Sequence, residues 1–214
     1  MSDAAPTREI HISATLSERI AAGDFPSAVY LIAEKGQPVF ADALGHAVVD
    51  PYRITASLNT IYDLASLTKP LITGMLCAQL VEKGELTLDS AVANYLPEFD
   101  RTDRQMITVR ELLTHTSGLP AWRPLYILAE GERERALGVI VNEALEYKPG
   151  TRVVYSDLGF IVLGFLLERL IGRGLDELAR TEIIQPLKLQ HTFFNPEMAL
   201  QTGIAACETG NAYE

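Results

Sequence analysis

Residues 63–84, DLASLTKPLITGMLCAQLVEKG, set Ser66 and Lys69 three residues apart at the start of a strongly apolar helix. Leu67, Leu71, Ile72, Met75, Leu76, Ala78, Leu80 and Val81 surround that helix on nearly every side, the composition of a core helix rather than a surface one. Pro70 is tolerated because a first-turn N–H has no intrahelical partner to lose. Residues at i and i+3 share a helix face, so the hydroxyl and the amine lie within proton-transfer reach. A long cation at the first turn of a core helix either pairs with an anion or gives up its proton, because desolvation disfavours the ammonium. A neutral Lys69 would take the proton of Ser66, and the helix N-terminus would favour the negative charge developing there. The competing reading is that Ser66 or Thr68 only caps the helix while Lys69 reaches for water. Spacing alone does not choose between them.

Charge and composition exclude several classes. The 214 residues can bury a sizeable core, and a formal net charge of −10 without a basic cluster argues against nucleic acid and anionic membrane surfaces as partners. The N-terminal MSDAAPTREIHISATL has no basic n-region followed by an apolar one, so the expected location is cytoplasmic. Cys77 and Cys207 lack a disulfide framework spacing and fit free thiols in a reducing compartment. His11, His46, His115 and His191 stand singly, so no metal site is expected, and the longest apolar run is too short to span a bilayer.

Ahead of the core helix, residues 7–23 read as an amphipathic helix lying on a sheet, with Ile10, Ala14, Leu16, Ile20 and Ala21 as its stripe and Gly23 as its C-cap. Residues 28–33 and 39–44 read as strands of a hairpin turning at 34–38, the second continuing over 45–49 until Asp50-Pro51 breaks it. Beyond Gly84, Thr108 and Glu111 form a capping box for a short helix that closes in His115-Thr-Ser-Gly118-Leu-Pro120. His115 beside a glycine in a tight turn reads as structural rather than as a base. Residues 122–146, with Arg123, Tyr126, Glu130 and Arg133, border a cleft, and Trp122 and Tyr126 are its substrate-binding candidates. Tyr155-Ser-Asp157 then opens a second, very apolar helix. Ser156 or Asp157 is a natural N-cap and Tyr155 a staple; alternatively, a Tyr hydroxyl near a cation has its pKa lowered enough to exchange protons with a nucleophile.

Taken in order, Ser66-Leu-Thr-Lys69, His115-Thr-Ser-Gly-Leu-Pro120, Tyr155-Ser-Asp157 and Pro186-Leu187 with Thr192-Phe-Phe194 resemble the serine β-lactamase and penicillin-binding protein superfamily, in its class C-like esterase and peptidase branch. The resemblance spans residues 28–194. It implies an α/β (α+β) fold, an antiparallel sheet flanked by helices plus an all-helical region. It also implies an acyl-enzyme on Ser66, with Lys69 as general base, Tyr155 relaying the proton to the leaving group, and no cofactor. The oxyanion would sit between the Ser66 N–H and a strand N–H. The family's second motif usually ends in Asn; Asp157, acceptor-only when ionised, points to a different substrate partner or to a structural cap.

Three segments follow from this: residues 1–65 carry the first helix and the hairpin, 66–190 the helical region with both motifs, and 191–214 a return toward the sheet. The family's third motif, Lys/His-Thr/Ser-Gly on a later strand, has no match before Glu214. The expectation is an N-terminal portion, with little activity by itself, open to self-association or to completion by a C-terminal fragment. The expected substrate is a small ester, amide or β-lactam. The rival reading is a non-catalytic binding or sensing module of the same fold. The lack of Gly-x-Ser-x-Gly argues against the α/β-hydrolase form of the chemistry.

Overall fold

A computed structural model describes residues 5–207, which divide into two compact units, 5–63 with 195–207 and 64–194. In the first unit, helix α1 (Ala5–Ala21) precedes a three-stranded antiparallel sheet of order β1 (Ser27–Glu34), β2 (Gln37–Val48) and β3 (Ile54–Thr55). The β1–β2 hairpin turns on Lys35 and Gly36, both at positive φ (52° and 76°), the two-residue geometry whose twist matches that of paired strands. Pairing runs from Ser27 opposite Gly45 to Ile32 opposite Phe40, and shifts by a bulge before Ala33 meets Pro38. Gly45, at φ 77°, lies under α1 and next to β1: a Cβ there would stand 2.2 Å from the Pro26 carbonyl oxygen and 3.2 Å from Ile20 Cδ1. Only glycine lets the chains approach so closely.

The inward stripe of α1 is Ser13, Leu16 and Ile20, whereas Ala14 and Ala21 are exposed and the Ile10 side chain lies outside the described residues. Ser13 explains the difference, since its hydroxyl donates to Asp42 Oδ2 (2.6 Å) and lies 2.6 Å from the Tyr30 hydroxyl, tying the helix to both long strands. The chain returns to this unit at residues 203–206. Ile61 N–H donates to Gly203 O (2.8 Å), Ala205 N–H to Ile61 O (2.8 Å) and Ala206 N–H to Ala47 O (2.8 Å). Ala205 thereby joins Ala47, Ala56 and Tyr62 in a small core.

The second unit is built round α6 (Asp157–Ile171), whose Leu158, Val162, Leu163, Leu166 and Leu167 are fully buried. Each such side chain contributes about 1.5–3 kcal/mol of burial. Packed with it are α2 (Met75–Glu82), α3 (Val109–Leu113), α5 (Arg133–Asn142) and α7 (Leu175–Ala179), with the one-turn α4 (Leu125–Leu128) beside α5. Thr108 and Glu111 form the expected capping box on α3. Gly172, at φ 78°, ends α6 as a left-handed cap.

The stretch expected as one core helix differs in two respects. It begins as a 3₁₀ turn (Ala65–Leu67), widens into a π turn (Lys69–Gly74) and becomes regular only at Met75. Pro70 offers no N–H to a uniform α ladder, and Gly74 fits against the Lys69 carbonyl, which a Cβ would approach to 3.2 Å. The helix also buries one side rather than its whole circumference. Ile72, Leu76, Cys77 and Leu80 face the core, whereas Leu67, Leu71 and Met75, an i, i+4, i+8 stripe, are 57%, 47% and 44% exposed. An apolar composition does not itself say which faces have neighbours.

Candidate active site

Ser66 is presented by a constrained turn. Ala65 adopts φ 43°, a left-handed conformation costing a non-glycine residue about 1–3 kcal/mol, and Ser66 follows it at the exposed start of the 3₁₀ turn. One turn on, the Lys69 side chain is only 15% exposed. Its ammonium donates to Ser66 Oγ at 2.9 Å, lies 2.7 Å from Asp157 Oδ1 and stands 4.9 Å from the centre of the Tyr155 ring. The structure thus brings together Ser66, Lys69, Tyr155 and Asp157. Trp122 and Tyr126, half-exposed, lie outside the lining of the cavity that Ser66, Lys69 and Asp157 border; from their segment, residues 122–146, it is Leu125, Arg133 and Ala136 that reach it.

Of the two outcomes open to a lysine in this position, pairing with an anion or loss of the proton, the surroundings of Lys69 favour the first. Burial pulls the Lys69 pKa down, but hydrogen bonding to Asp157 and Tyr155, with the charges of both, outweighs it and holds the ammonium above the ordinary lysine value. Asp157 Oδ1 is buried, and at 2.7 Å the Lys69 ammonium is its charge partner. The Tyr155 hydroxyl moves the other way. Hydrogen bonds first from Lys69 and then from Ser66 lower its pKa from the usual tyrosine value, against opposition from partial burial and the Asp157 charge. The two shifts run in opposite senses, the amine's upward and the phenol's downward.

Two loops fix the tyrosine. Ser156 is the N-cap of α6, its Oγ accepting from Gly159 N–H (3.2 Å) and donating to the Pro120 carbonyl (2.7 Å). Val154 N–H donates to His115 O (2.9 Å) and Asp157 N–H to Ala121 O (2.8 Å). Residues 115–121 are therefore a cradle for 154–157. Gly118, at φ 83°, sits where a Cβ would be 2.3 Å from the Tyr147 carbonyl oxygen, so this turn admits no side chain.

His115 has a larger part than its sequence setting indicated. Its Nδ1 accepts from Ser156 N–H (3.1 Å), and its ring packs on Tyr155 (centroids 4.7 Å apart) and Phe160 (5.1 Å). Burial first, then the Lys69 charge, lowers its pKa, against the Asp157 charge and the Ser156 contact, so the ring is neutral with Nδ1 as acceptor. The only sequence-level signal was His115 in a glycine turn ahead of a Tyr-Ser-Asp, and no local rule connects two such segments. A depressed His pKa means that the unfolded chain binds a proton the native site refuses. Stability from His115 is therefore complete above about pH 6.5 and is lost as pH falls below it. Thermal melts across pH 5–8 should show this loss, and His115→Gln should flatten it. Identical pH profiles for the two proteins would mean that His115 does not carry it.

Among the described residues, the buried Cys77 lies within the helix that Ser66 begins. Burial pushes the Cys77 thiol up to about 12, which leaves it a packing residue.

The Beta-lactamase family model matches residues 12–214. An N-acetylmuramyl-L-alanine amidase of Bacillus subtilis (strain 168) is 31% identical over 208 residues, a match covering 89% of this chain and 47% of that protein. Among solved structures, EstCE1, described as a hydrolase with promiscuous acyltransferase activity, superposes with a TM-score of 0.76 at 28% identity, over 94% of this chain and 56% of its own. The octameric penicillin-binding protein homologue from Pyrococcus abyssi does so with a TM-score of 0.77 at 26% identity, over 91% of this chain and 46% of its own. The chain spans about half the length of the curated relatives it matches.

Proposed function

Because the chain belongs to the beta-lactamase family, we propose that the protein is a serine hydrolase that opens an ester, amide or β-lactam through an acyl-enzyme on Ser66. The observation that carries this reading is the cluster in which Lys69 donates to Ser66 Oγ at 2.9 Å, pairs with Asp157 at 2.7 Å and stands 4.9 Å from the centre of the Tyr155 ring, an arrangement that favours ionisation of the Tyr155 hydroxyl. A serine hydroxyl is a weak nucleophile until a neighbouring base accepts its proton. Here that base is the Tyr155 phenolate, stabilised by the Lys69 ammonium. Ser66 Oγ attacks the acyl carbon as its proton passes to Tyr155. The tetrahedral oxyanion collapses, and the leaving oxygen or nitrogen departs with the proton that Tyr155 returns. Water then attacks the ester on Ser66 and yields its proton to Tyr155. Expulsion of Ser66, reprotonated by the same phenol, releases the acid. Lys69 keeps its proton throughout, supplying charge and orientation, and Asp157 anchors it. Hydrolase and amidase names among the relatives support acyl transfer as the reaction class.

Labelling decides between this and a binding module. The full-length protein, treated with a fluorophosphonate and with a fluorescent penicillin, is expected to form an adduct located at Ser66 by mass spectrometry, and to turn over an activated ester. A persistent penicilloyl adduct without ester turnover would identify a sensor, and no adduct from either reagent would end the serine-acylation reading.

A further inference from the structure

A cavity of about 410 Å³ opens beside the nucleophile and lies wholly within the second unit. That volume falls in the range of about 300–1,000 Å³ typical of small-molecule pockets. At one end its border is Ala65, Ser66, Thr68 and Lys69, with Thr73, Arg133 and Ala136 also in the lining, and most of the wall away from them is made by Leu125 of α4, Phe160, Ile161 and Phe165 of α6, and Leu175 of α7. All five of these apolar side chains are half-buried, so they present surface without being sealed into the core. Gly164 also lines the cavity, with the Leu175 Cδ2 3.7 Å from where its Cβ would be, so the wall carries no side chain at that point.

The charges around the cavity are already matched by the protein. Lys69 pairs with Asp157 at 2.7 Å. Arg133, whose guanidinium lies 4.8 Å from the centre of the Phe165 ring, donates to Glu168 Oε2 at 2.6 Å, and the other oxygen of Glu168 accepts from Leu175 N–H at 2.7 Å. An ionic substituent entering here would have to displace one of these pairs and would lose its hydration, whereas a hydrocarbon gains from the walls and disturbs neither.

From this continuity of nucleophile and neutral apolar wall, we propose that the cavity is an acyl-chain pocket, taking the uncharged hydrocarbon part of a medium-length acyl group whose carbonyl lies at Ser66. The inference rests on Ser66 being the acylated residue, and it extends that reading to substrate class: esters of apolar, unbranched carboxylic acids are preferred over acetyl esters and over acyl groups with a charged end.

The test uses p-nitrophenyl acetate, butyrate, hexanoate and octanoate with the full-length protein. Each methylene seated in the pocket should raise kcat/KM by about fourfold until the cavity is full. Ile161→Trp, which places a larger ring in the wall at a half-buried position, should collapse the octanoate-to-acetate ratio, and Phe165→Ala should shift the preferred chain longer. Circular dichroism melts establish that each variant is folded. Free octanoate, titrated calorimetrically into the protein and into Ile161→Trp, reads the same pocket without turnover and should bind the first and not the second. Ser66-dependent hydrolysis with no dependence on chain length would overturn the pocket and leave the serine hydrolase reading intact. Absence of any Ser66-dependent hydrolysis would overturn that reading, and octanoate binding would then decide the pocket alone, with equal binding to both proteins, or to neither, counting against it.

Discussion

Ser66→Ala in the full-length protein is expected to abolish acylation while leaving the fold in place. The rate loss should be on the order of 10⁶-fold, as for removal of a nucleophile that works as a unit with its base. The fold should tolerate the change because Ser66 is exposed and offers no side-chain cap to its turn, so the loss is below about 1 kcal/mol. Its hydroxyl accepts from Lys69, but the ammonium keeps Asp157 as its counter-charge when that contact goes. The buried charge therefore stays compensated, which is the condition for a mild structural effect. Intact-protein mass spectrometry after fluorophosphonate treatment, with a thermal melt alongside, provides both readings. Undiminished hydrolysis by the variant would place the nucleophile elsewhere.

The contacts that make Ser66 and Lys69 a pair are local, and this is why they were legible. An i, i+3 spacing brings the two side chains together whether the turn is α, 3₁₀ or π, so the 2.9 Å contact survives the irregular start of the helix. The Thr108 capping box, the left-handed Gly172 and the Lys35-Gly36 turn are equally local and follow from side-chain chemistry or from φ. The charge state of Lys69 was not legible in this way. Desolvation alone would lower its pKa, and the groups that raise it, Tyr155 and Asp157, lie on an element far away in sequence. His115 reads as structural, but its partners were not legible, since its hydrogen bond from Ser156 N–H and its packing on Tyr155 exist only once the 115–121 cradle has closed on the start of α6. β3 was missed because two residues carry no measurable alternation. The exposed stripe of Leu67, Leu71 and Met75 is a related failure: hydrophobicity identifies surface that a helix would bury, and packing decides which part of it is buried.

Tyr155→Phe should lower kcat/KM by about 10²–10⁴-fold with little change in melting temperature. The ring's contact with His115 is kept and the hydroxyl alone is lost. The pH profile makes the role specific. As the free enzyme loses the Tyr155 proton, kcat/KM should rise, with a midpoint below the ordinary tyrosine value of about 10, because hydrogen bonds from Lys69 and Ser66 favour the phenolate. It should fall again only as Lys69 deprotonates, above the ordinary lysine value of about 10.4, because Asp157 and Tyr155 hold that proton more tightly than burial releases it. In Tyr155→Phe the rising limb should vanish. Substitutions of Lys69 separate charge from basicity. Arginine cannot give up its proton, so if Lys69 were the base, Lys69→Arg and Lys69→Met would be equally inactive. If its part is to carry charge beside the phenol, Lys69→Arg should retain at least about tenfold more activity than Lys69→Met. It should still fall below the natural enzyme, because a planar guanidinium does not reproduce one ammonium shared among Ser66, Tyr155 and Asp157. Equal loss in the two Lys69 variants, together with a rising limb that persists in Tyr155→Phe, would return the base to Lys69 and reduce Tyr155 to a packing residue at the start of α6.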